Sequence, residues 1–476
     1  MKKKFFKKIF ICLAGIIFII GVFHSCKKLP NGISYVSEPI SVSEENIDFL
    51  YDLTYEKGEE RVYDHEIFDK IFQTIDKAEK YILIDMFLWG KNEDESLRDI
   101  SQEMTNHLVQ RKEQVPKLEV VLITDAYNTG YGSFDVEYFE QMKEAGIDVV
   151  FTDVNKLRDS NSLYSPFWRT LVQAFGKPSE GWLDIPGYDG KSSIRAFLKL
   201  LNFKVNHRKT MIADCGNQMC SFVISANPAG SGAEYSNVGL LVKDEIYKDI
   251  YTSEKTVLEM SGYQLDDWDF SFVEATSEEK DIEIQLITEK KIKNALLEEI
   301  NNSQDSEEIK ISIFFFSDRE IMNALLGASE RGVDIKIVAD PSKFAFGRDN
   351  FGVPTRIAVN ELIKKSKGKI KAKYYDTEDE QFHSKMSIFV REKELSVILG
   401  SANYTRKNLD DFNLESDLKM TVPINKAIST EILNYFDKMW NNIEGNYTVD
   451  FDFFEKPSFW KNIQYRFQEF TGASIF

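Results

Sequence analysis

The sequence predicts an α/β protein built from two similar halves, with one membrane-anchoring helix at the N-terminus. Three observations predict this: alternating strand and helix patterns, a residue set that occurs twice at one spacing, and a lysine-flanked apolar run. The length of 476 residues agrees, because a chain of that size exceeds one ordinary core. We expect two α/β sandwich halves related by a pseudo-two-fold axis.

Residues 1–28 predict a signal anchor or signal peptide. Five lysines precede an uncharged apolar run, Ile9–Phe23, and Lys27 and Lys28 follow it. A lysine-rich start before an apolar run is typical of secretory signals, and snorkelling lysines can lengthen a short span. The lysine excess before the run predicts residues 29–476 on the extracytoplasmic face of the membrane. Whether the segment is cleaved, or Cys26 lipidated, stays open.

Repeated segments divide the remaining chain into halves at 29–274 and 275–476. Each half has a β-branched and aromatic run that predicts a buried strand, at 80–89 and at 308–317. A helical pattern and a strand ending in aspartate follow in both halves, which favours an α/β sandwich. The first half alone has an insertion, 155–206, which predicts either a small packed subdomain or an aromatic flap.

A histidine, a lysine and an asparagine recur together in the two halves. Both sets have the spacing H-x-K-x17-N and lie 176 residues apart (383 − 207); they are His207, Lys209 and Asn227, and His383, Lys385 and Asn403. In a strand, residues i and i+2 share a face, so each histidine and lysine emerge together. A hairpin after each lysine would return the asparagine beside them. We expect the two sets to form one site within a single chain, with no oligomer required.

This set of side chains suits a phosphodiester. Two ammonium groups and two amides can bind its non-bridging oxygens as charge develops. One imidazole can attack phosphorus while the other protonates the leaving oxygen. No metal and no cofactor are expected, and the remaining histidines are interpreted as structural; they are His24, His65 and His107.

Both motifs resemble the paired HxK signatures of the phospholipase D superfamily. "HRKTMIAD…SAN" and "HSKMSIFV…GSANYT" are the matching stretches, and the resemblance extends over residues 60–476. It implies a two-step reaction through a phosphohistidine, with His207 as nucleophile and His383 as acid. It also implies a structural role for Asp214 and makes Glu415 the expected carboxylate that orients His383.

Two positions depart from the family pattern. Val390 stands in the second half where Asp214 stands in the first, and Gly239 stands where the second half has Glu415. The orienting partner of His207 is therefore unassigned, and the candidates by proximity are Glu234 and Asp244.

The four cysteines leave one pairing question open. Cys215 and Cys220 flank "GNQM", a plausible tight turn, so they could face each other across a hairpin. Outside the cytosol such a pair could oxidise to a disulfide.

These features predict a membrane-bound phosphodiesterase that hydrolyses phospholipids. The alternatives are phosphatidyl transfer to an alcohol, as in cardiolipin synthases, and a metal-independent nuclease. A formal net charge of −18 repels polyanions, so we expect a phospholipid and a membrane as partners and no nucleic acid. Residues 455–476 have aromatics at helical spacing, which predicts docking on the core or, alternatively, membrane contact.

Overall fold

The computed structural model describes residues 2–91, 96–175, 181–184, 190–271, 280–345, 348–349, 352–472 and 474. The strands within these ranges are, in chain order, β1 (Ile40–Val42), β2 (Ile47–Asp52), β3 (Thr54–Lys57), β4 (Glu60–Tyr63), β5 (Tyr81–Met86), β6 (Glu119–Asp125), β7 (Asp148–Thr152), β8 (Leu183–Asp184), β9 (Lys191–Ser192), β10 (Lys209–Asp214), β11 (Met219–Ile224), β12 (Asn237–Val242), β13 (Ile282–Thr288), β14 (Glu308–Ile313), β15 (Asp334–Ala339), β16 (Phe344–Ala345), β17 (Arg348–Asp349), β18 (Ile370–Tyr375), β19 (Lys385–Val390), β20 (Glu394–Gly400), β21 (Ser416–Pro423) and β22 (Thr448–Asp450).

The α-helices in the same ranges are α1 (Lys2–Cys26), α2 (Ile67–Ile75), α3 (Ile100–Gln114), α4 (Glu137–Glu144), α5 (Ser165–Phe167), α6 (Ile194–Leu200), α7 (Tyr247–Met260), α8 (Lys290–Asn302), α9 (Arg319–Arg331), α10 (Thr355–Lys365), α11 (Arg406–Leu409), α12 (Ala427–Asn441) and α13 (Phe459–Thr471). One π-helical turn, Trp168–Val172, continues α5.

Two large sheets with the same internal order form the centre of the protein. The first has the order β2-β12-β11-β10-β5-β6-β7, and the second contains β21-β20-β19-β14-β15-β18 between its edge strands. In both, a parallel trio (β5-β6-β7, β14-β15-β18) adjoins an antiparallel hairpin (β10-β11, β19-β20). The predicted α/β architecture of two similar halves is confirmed, and the runs at 80–89 and 308–317 form β5 and β14.

The two sheets face each other across a shared apolar core. Inner side chains of both sheets pack there together with α7 and α12. The outer face of the first sheet packs against α2, α3 and α4, and that of the second against α8, α9 and α10. This burial on both faces explains why the central strands consist of nearly continuous apolar residues.

The N-terminal segment crosses from one half to the other. Strand β1 pairs with β13 at the edge of the second sheet, whereas β2 joins the first. Strand β1, near the start of the chain, is therefore added to the sheet of the second half. The predicted boundary between residues 274 and 275 lies outside the described residues and stays a prediction.

Helix α1 is long and apolar enough to cross a membrane. Within Lys3–Cys26, an 18-residue window has a mean hydropathy of 2.5, and only 6% of that window is buried. Its C-terminal end is held by the insertion, because the Asp159 amide donates to the His24 carbonyl at 3.0 Å. A helix of this length and composition agrees with the predicted membrane anchor. The location of residues 29–476 on the extracytoplasmic side stays a prediction.

The insertion forms a small packed unit around Trp168, which is buried, while Trp182 is exposed. It contains α5, the π-helical turn, the short β8–β9 hairpin and α6. The first of the two sequence interpretations, a packed subdomain, therefore describes its core.

Candidate active site

Each motif histidine lies immediately before a central strand and pairs through its backbone with the opposite half. The His207 amide donates to the Leu414 carbonyl at 2.9 Å, and the His383 amide donates to the Ser236 carbonyl at 2.8 Å. Lys209 and Lys385 begin β10 and β19. The two motifs are thus joined at the interface between the sheets, as expected of a single site built by both halves.

Both motif lysines are buried and bent back onto their own motif. Lys209 Nζ donates to the His207 carbonyl at 2.7 Å, and Lys385 Nζ donates to the His383 carbonyl at 2.6 Å. Burial lowers the pKa of Lys209 to about 7 and that of Lys385 well below its usual value. Two desolvated cations side by side are costly, so an anion placed between them would be strongly favoured.

One phenylalanine ring lies beside the histidine and lysine of each motif, in matching positions. The ring of Phe87 lies 5.1 Å from the His207 ring and 5.3 Å from Lys209 Nζ. Phe314 repeats this with His383 at 5.2 Å and with Lys385 at 5.3 Å. These rings follow β5 and β14, so the first strand of each parallel trio supplies an apolar wall and cation–π contacts.

The motif asparagines are fixed by their carbonyl oxygens. Asn227 Oδ1 accepts from the Leu88 amide at 3.3 Å, and Asn403 Oδ1 accepts from the Phe315 amide at 3.2 Å. Each amide is thereby oriented with its NH₂ group as the remaining donor, which is the end suited to an oxyanion.

The carboxylate partner of His207 comes from the other half. Glu415 Oε2 lies 2.9 Å from His207 Nδ1 and also accepts from the Ser401 hydroxyl at 2.6 Å. The Asn408 side chain donates to the other oxygen, Oε1. The expectation that Glu415 orients His383 is therefore wrong.

His383 has a neutral partner instead. Asn237 Oδ1 lies 3.1 Å from His383 Nδ1 and also accepts from the Ser225 hydroxyl at 3.0 Å. Its NH₂ group donates to the Tyr235 carbonyl at 3.0 Å. Since that bond fixes the amide orientation, Asn237 Oδ1 accepts a hydrogen bond from the Nδ1–H of His383.

The error came from a two-residue offset between the halves. Ser225 and Ser401 bond Asn237 and Glu415 in the same way, so these two partners are equivalent although they lie 178 residues apart (415 − 237). The stretch from Asn403 includes α11, where the first half has only a short 3₁₀ turn at Gly230–Ala233. A constant repeat length of 176 residues instead aligns Glu415 with Gly239 (415 − 176).

Burial and the two lysines lower the pKa of both histidines well below 6.5. Lys209 and Lys385 act on each ring, so both motifs lie within one electrostatic environment. Burial raises the pKa of Glu415 to about 7, against the pull of Lys209 and the bonds from Ser401 and Asn408. These surroundings favour neutral imidazoles, and an anion bound beside them would shift them towards protonation.

Asp214 and Asp244 bind other groups than the motif histidines. Asp214 accepts the backbone amides of Glu79, Lys80 and Tyr81 at 2.8–2.9 Å, which secures the start of β5. Asp244 pairs with Lys280 at 2.8 Å, so it is not the partner of His207.

A buried network of charged side chains lies behind His207 and was not predicted from the sequence. Arg208, fully buried, pairs with Glu289 at 2.7 Å and with Glu254 at 3.3 Å. Glu289 also accepts the backbone amide of Glu415 at 3.2 Å. The sequence feature that could have indicated this network is Arg208, a further charged residue between His207 and Lys209, directly before the buried strand β10.

The other histidines lie elsewhere: His107 stacks on Phe72 at 4.6 Å, for example. Within the described ranges, no group of three or more histidine, cysteine, aspartate or glutamate side chains is arranged to hold a metal ion.

Cys215 and Cys220 form a disulfide across the turn between β10 and β11, at the end of the hairpin remote from Lys209.

Known proteins resemble this chain in sequence over one segment and in overall fold. Residues 296–440 match the family model for the cardiolipin synthase, PLD-like domain, and no curated protein matches the chain. Phosphatidylserine synthase of Haemophilus influenzae Rd KW20 is similar with a TM-score of 0.59 and 11% identity, over 91% of this chain and 95% of that one.

Two further solved structures are similar over part of their own or this chain's length. Polyphosphate kinase of Porphyromonas gingivalis has a TM-score of 0.47 and 14% identity, over 90% of this chain and 53% of that one. Nuc of Salmonella typhimurium, a phospholipase D family member, has a TM-score of 0.27 and 22% identity, over 35% and 98%.

Proposed function

We propose that this chain, which has the phospholipase D-like fold and matches the cardiolipin synthase, PLD-like domain over residues 296–440, cleaves phospholipids through a phosphohistidine. The observation that supports this most is the cross-paired site, in which His207 and His383 each take a partner from the opposite half. Two lysines and two asparagine amides surround them. That arrangement offers a nucleophile, an acid and four donors to one phosphodiester.

In the first step, His207 Nε2 attacks phosphorus and the bond from phosphorus to the headgroup oxygen breaks. His383 gives its proton to that leaving oxygen, so a free headgroup alcohol departs. The phosphatidyl group stays on His207. Lys209, Lys385 and the two asparagine amides bind the non-bridging oxygens, where negative charge increases in the transition state.

His207 is the better nucleophile because Glu415 stands behind it. A carboxylate at Nδ1 holds the proton there, leaves the Nε2 lone pair for attack, and stabilises the positive charge that phosphorylation creates. His383 has only a neutral amide at Nδ1. Its protonation therefore depends on the bound phosphodiester anion, which suits an acid that is needed only with substrate present.

In the second step, His383 takes a proton from the acceptor, whose oxygen attacks phosphorus while the bond to His207 breaks. With water as acceptor the product is phosphatidic acid, and we propose hydrolysis as the main outcome. Transfer to an alcohol is the second candidate. It is favoured by the family model, described as cardiolipin synthase, and by the structural likeness to a phosphatidylserine synthase.

We place the site on the extracytoplasmic side of the membrane. Five lysines precede the apolar run of α1, which favours an N-terminus inside. The Cys215–Cys220 disulfide supports the same side, because such bonds persist in oxidising compartments. Protease added to intact spheroplasts should then degrade residues 29–476, whereas full protection would contradict the orientation.

The direct test supplies full-length protein in vesicles with phosphatidylglycerol, with and without glycerol, and separately with short DNA. We expect release of glycerol with formation of phosphatidic acid, and no DNA cleavage. His207→Ala and His383→Ala should each nearly abolish turnover, and Asp244→Asn serves as a matched control outside the site.

Each outcome has a distinct meaning. Cardiolipin in place of phosphatidic acid would select the transferase alternative, and DNA cleavage without lipid turnover would select the nuclease. Substantial activity in either histidine variant would overturn the two-histidine mechanism.

A further inference from the structure

The C-terminal helix α13 presents a wide apolar face to solvent. Phe459, Trp460, Phe467 and Phe470 are 73%, 75%, 57% and 84% exposed. On the opposite side, Tyr465 is fully buried. Large aromatics left in water along one helix face are costly, so this face is suited to an apolar environment.

The insertion presents a second apolar face with helical spacing. Leu163, Phe167, Leu171 and Phe175 follow one another at intervals of four residues along α5 and the turns beside it, and all four are exposed. Residues four apart lie on one side of a helix, so these side chains form a single stripe.

The anchor and both apolar faces are joined at one place. The end of α1 is bound to the insertion, since Arg158 donates to the Ser25 carbonyl at 3.1 Å. The insertion is bound in turn to the end of α13, since the Ser162 amide donates to the Thr471 carbonyl at 3.2 Å. A helix that spans the bilayer must therefore leave it next to both faces.

We propose that these two faces form one membrane-embedded surface, which enters the outer monolayer beside α1. We call it the apolar platform and define it by Leu163, Phe167, Leu171 and Phe175 of the insertion and Phe459, Trp460, Ile463, Phe467 and Phe470 of α13. This surface contacts the lipids of the same bilayer that α1 crosses. The proposal rests on the membrane orientation and lipid substrate proposed above.

The platform also reaches towards the candidate site. Tyr465, on the inner side of α13, packs in one apolar cluster with Phe314 and Phe315. Phe314 contacts His383 at 5.2 Å, and the Phe315 amide holds Asn403. Docking of α13 on lipid would hold this side of the site at the headgroup level, where a phosphodiester is available.

Lipid contact is measured by tryptophan quenching in full-length protein reconstituted into vesicles that contain phosphatidylcholine brominated on its acyl chains. We expect quenching of the wild type that falls in Trp460→Phe, with the remainder coming from Trp182, the exposed tryptophan of the insertion. Trp440→Phe, which removes a half-buried tryptophan of α12, is the control and should keep the quenching. Equal quenching of wild type and Trp460→Phe would overturn the proposal.

A second measurement uses the triple variant Phe459→Ser, Phe467→Ser, Phe470→Ser. These side chains point away from Tyr465, so the melting temperature should not fall. Turnover of phosphatidylglycerol in vesicles should fall on the order of tenfold, because less buried apolar area weakens the docking that holds the site of the anchored protein at the headgroups. Turnover of dihexanoyl phosphatidylglycerol, dissolved as monomers, should be unchanged. The control is Val36→Ser, Ile443→Ser, which removes exposed apolar side chains outside the platform.

The two proposals fail in different ways. If the enzyme turns over lipid but Trp460 is not quenched and the triple variant matches wild type, the platform is wrong and the function stands. If Trp460 is quenched but no phospholipid is cleaved, the platform stands and the function is wrong. Equal losses on vesicles and on monomeric substrate would also contradict the platform, because they would indicate damage to the site itself.

Discussion

Replacing Glu415 with glutamine tests the arrangement behind His207 most specifically. The side chain keeps its size but loses its charge. In the protein, its oxygens accept from His207 Nδ1, from the Ser401 hydroxyl and from the Asn408 amide. A glutamine can offer only one acceptor oxygen to these three donors, so its NH₂ group must face at least one of them.

The expected magnitude follows from the distance of 2.9 Å between Glu415 Oε2 and His207 Nδ1. Two full charges at that separation and an effective dielectric constant of about 20 interact with about 6 kcal/mol. Only part of the positive charge has formed on the imidazole in the transition state, so a loss of about half, roughly 3 kcal/mol, is reasonable. That loss slows phosphoenzyme formation about a hundredfold.

The assay is single-turnover release of the headgroup alcohol, with enzyme in excess over phosphatidylglycerol. Glu415→Gln should slow this first step, and the matched acid-to-amide change Asp244→Asn should leave it unchanged, since Asp244 pairs with Lys280 away from the site. A normal first step in a folded Glu415→Gln protein would refute the reasoning about His207.

Three further results are expected. The value of kcat/KM should peak near neutral pH, because burial shifts the pKa of both Glu415 and Lys209 to about 7. Below that pH the Glu415 carboxylate gains a proton, and above it the Lys209 ammonium loses one. A value of kcat/KM that is flat from pH 5 to 9 would contradict this. Asn237→Asp should raise the pKa of His383, since a nearby negative charge favours imidazolium, and the histidine resonance in an NMR titration should move to higher pH. Opening the disulfide with Cys215→Ser should lower the free energy of unfolding in urea by about 2 kcal/mol, given its short loop, without changing kcat; an unchanged urea midpoint would contradict the first part.

The paired motif could be predicted from sequence because its spacing depends on local structure. One residue separates histidine from lysine, which places both on one face, and a hairpin of the same length in each half returns the asparagine. These relations depend only on strand geometry, so His207, Lys209 and Asn227 and their second-half counterparts lie at the positions that the pattern predicts.

The orienting partners could not be assigned in the same way. Glu415 and Asn237 act across the interface between the halves, and no spacing within one half specifies which histidine either will face. The segment from Asn403 to Glu415 is two residues longer than the one from Asn227 to Asn237, so a constant repeat length selected Gly239. Knowledge of the β12 and β21 pairing was needed to see that Asn237 and Glu415 correspond.

The apolar segments were ambiguous for a related reason. Periodicity identifies α13 as amphipathic, but a core-facing helix and a lipid-facing helix have the same pattern. Here Tyr465 packs inwards, as the core-docking interpretation predicts, while Phe467 and Phe470 remain exposed on the side for which we propose lipid contact. The sequence alone could not indicate that the insertion and the anchor lie beside it.

The most direct test of the account is the identity of the phosphorylated residue. Full-length protein is mixed with phosphatidylglycerol, quenched during turnover, digested at alkaline pH to preserve phosphohistidine, and mapped by mass spectrometry. We expect a phosphatidyl or phosphate adduct on the peptide containing His207 in the wild type and no such adduct in His207→Ala. An adduct on His383 would contradict the roles assigned here, and turnover with no histidine adduct at all would contradict the covalent mechanism.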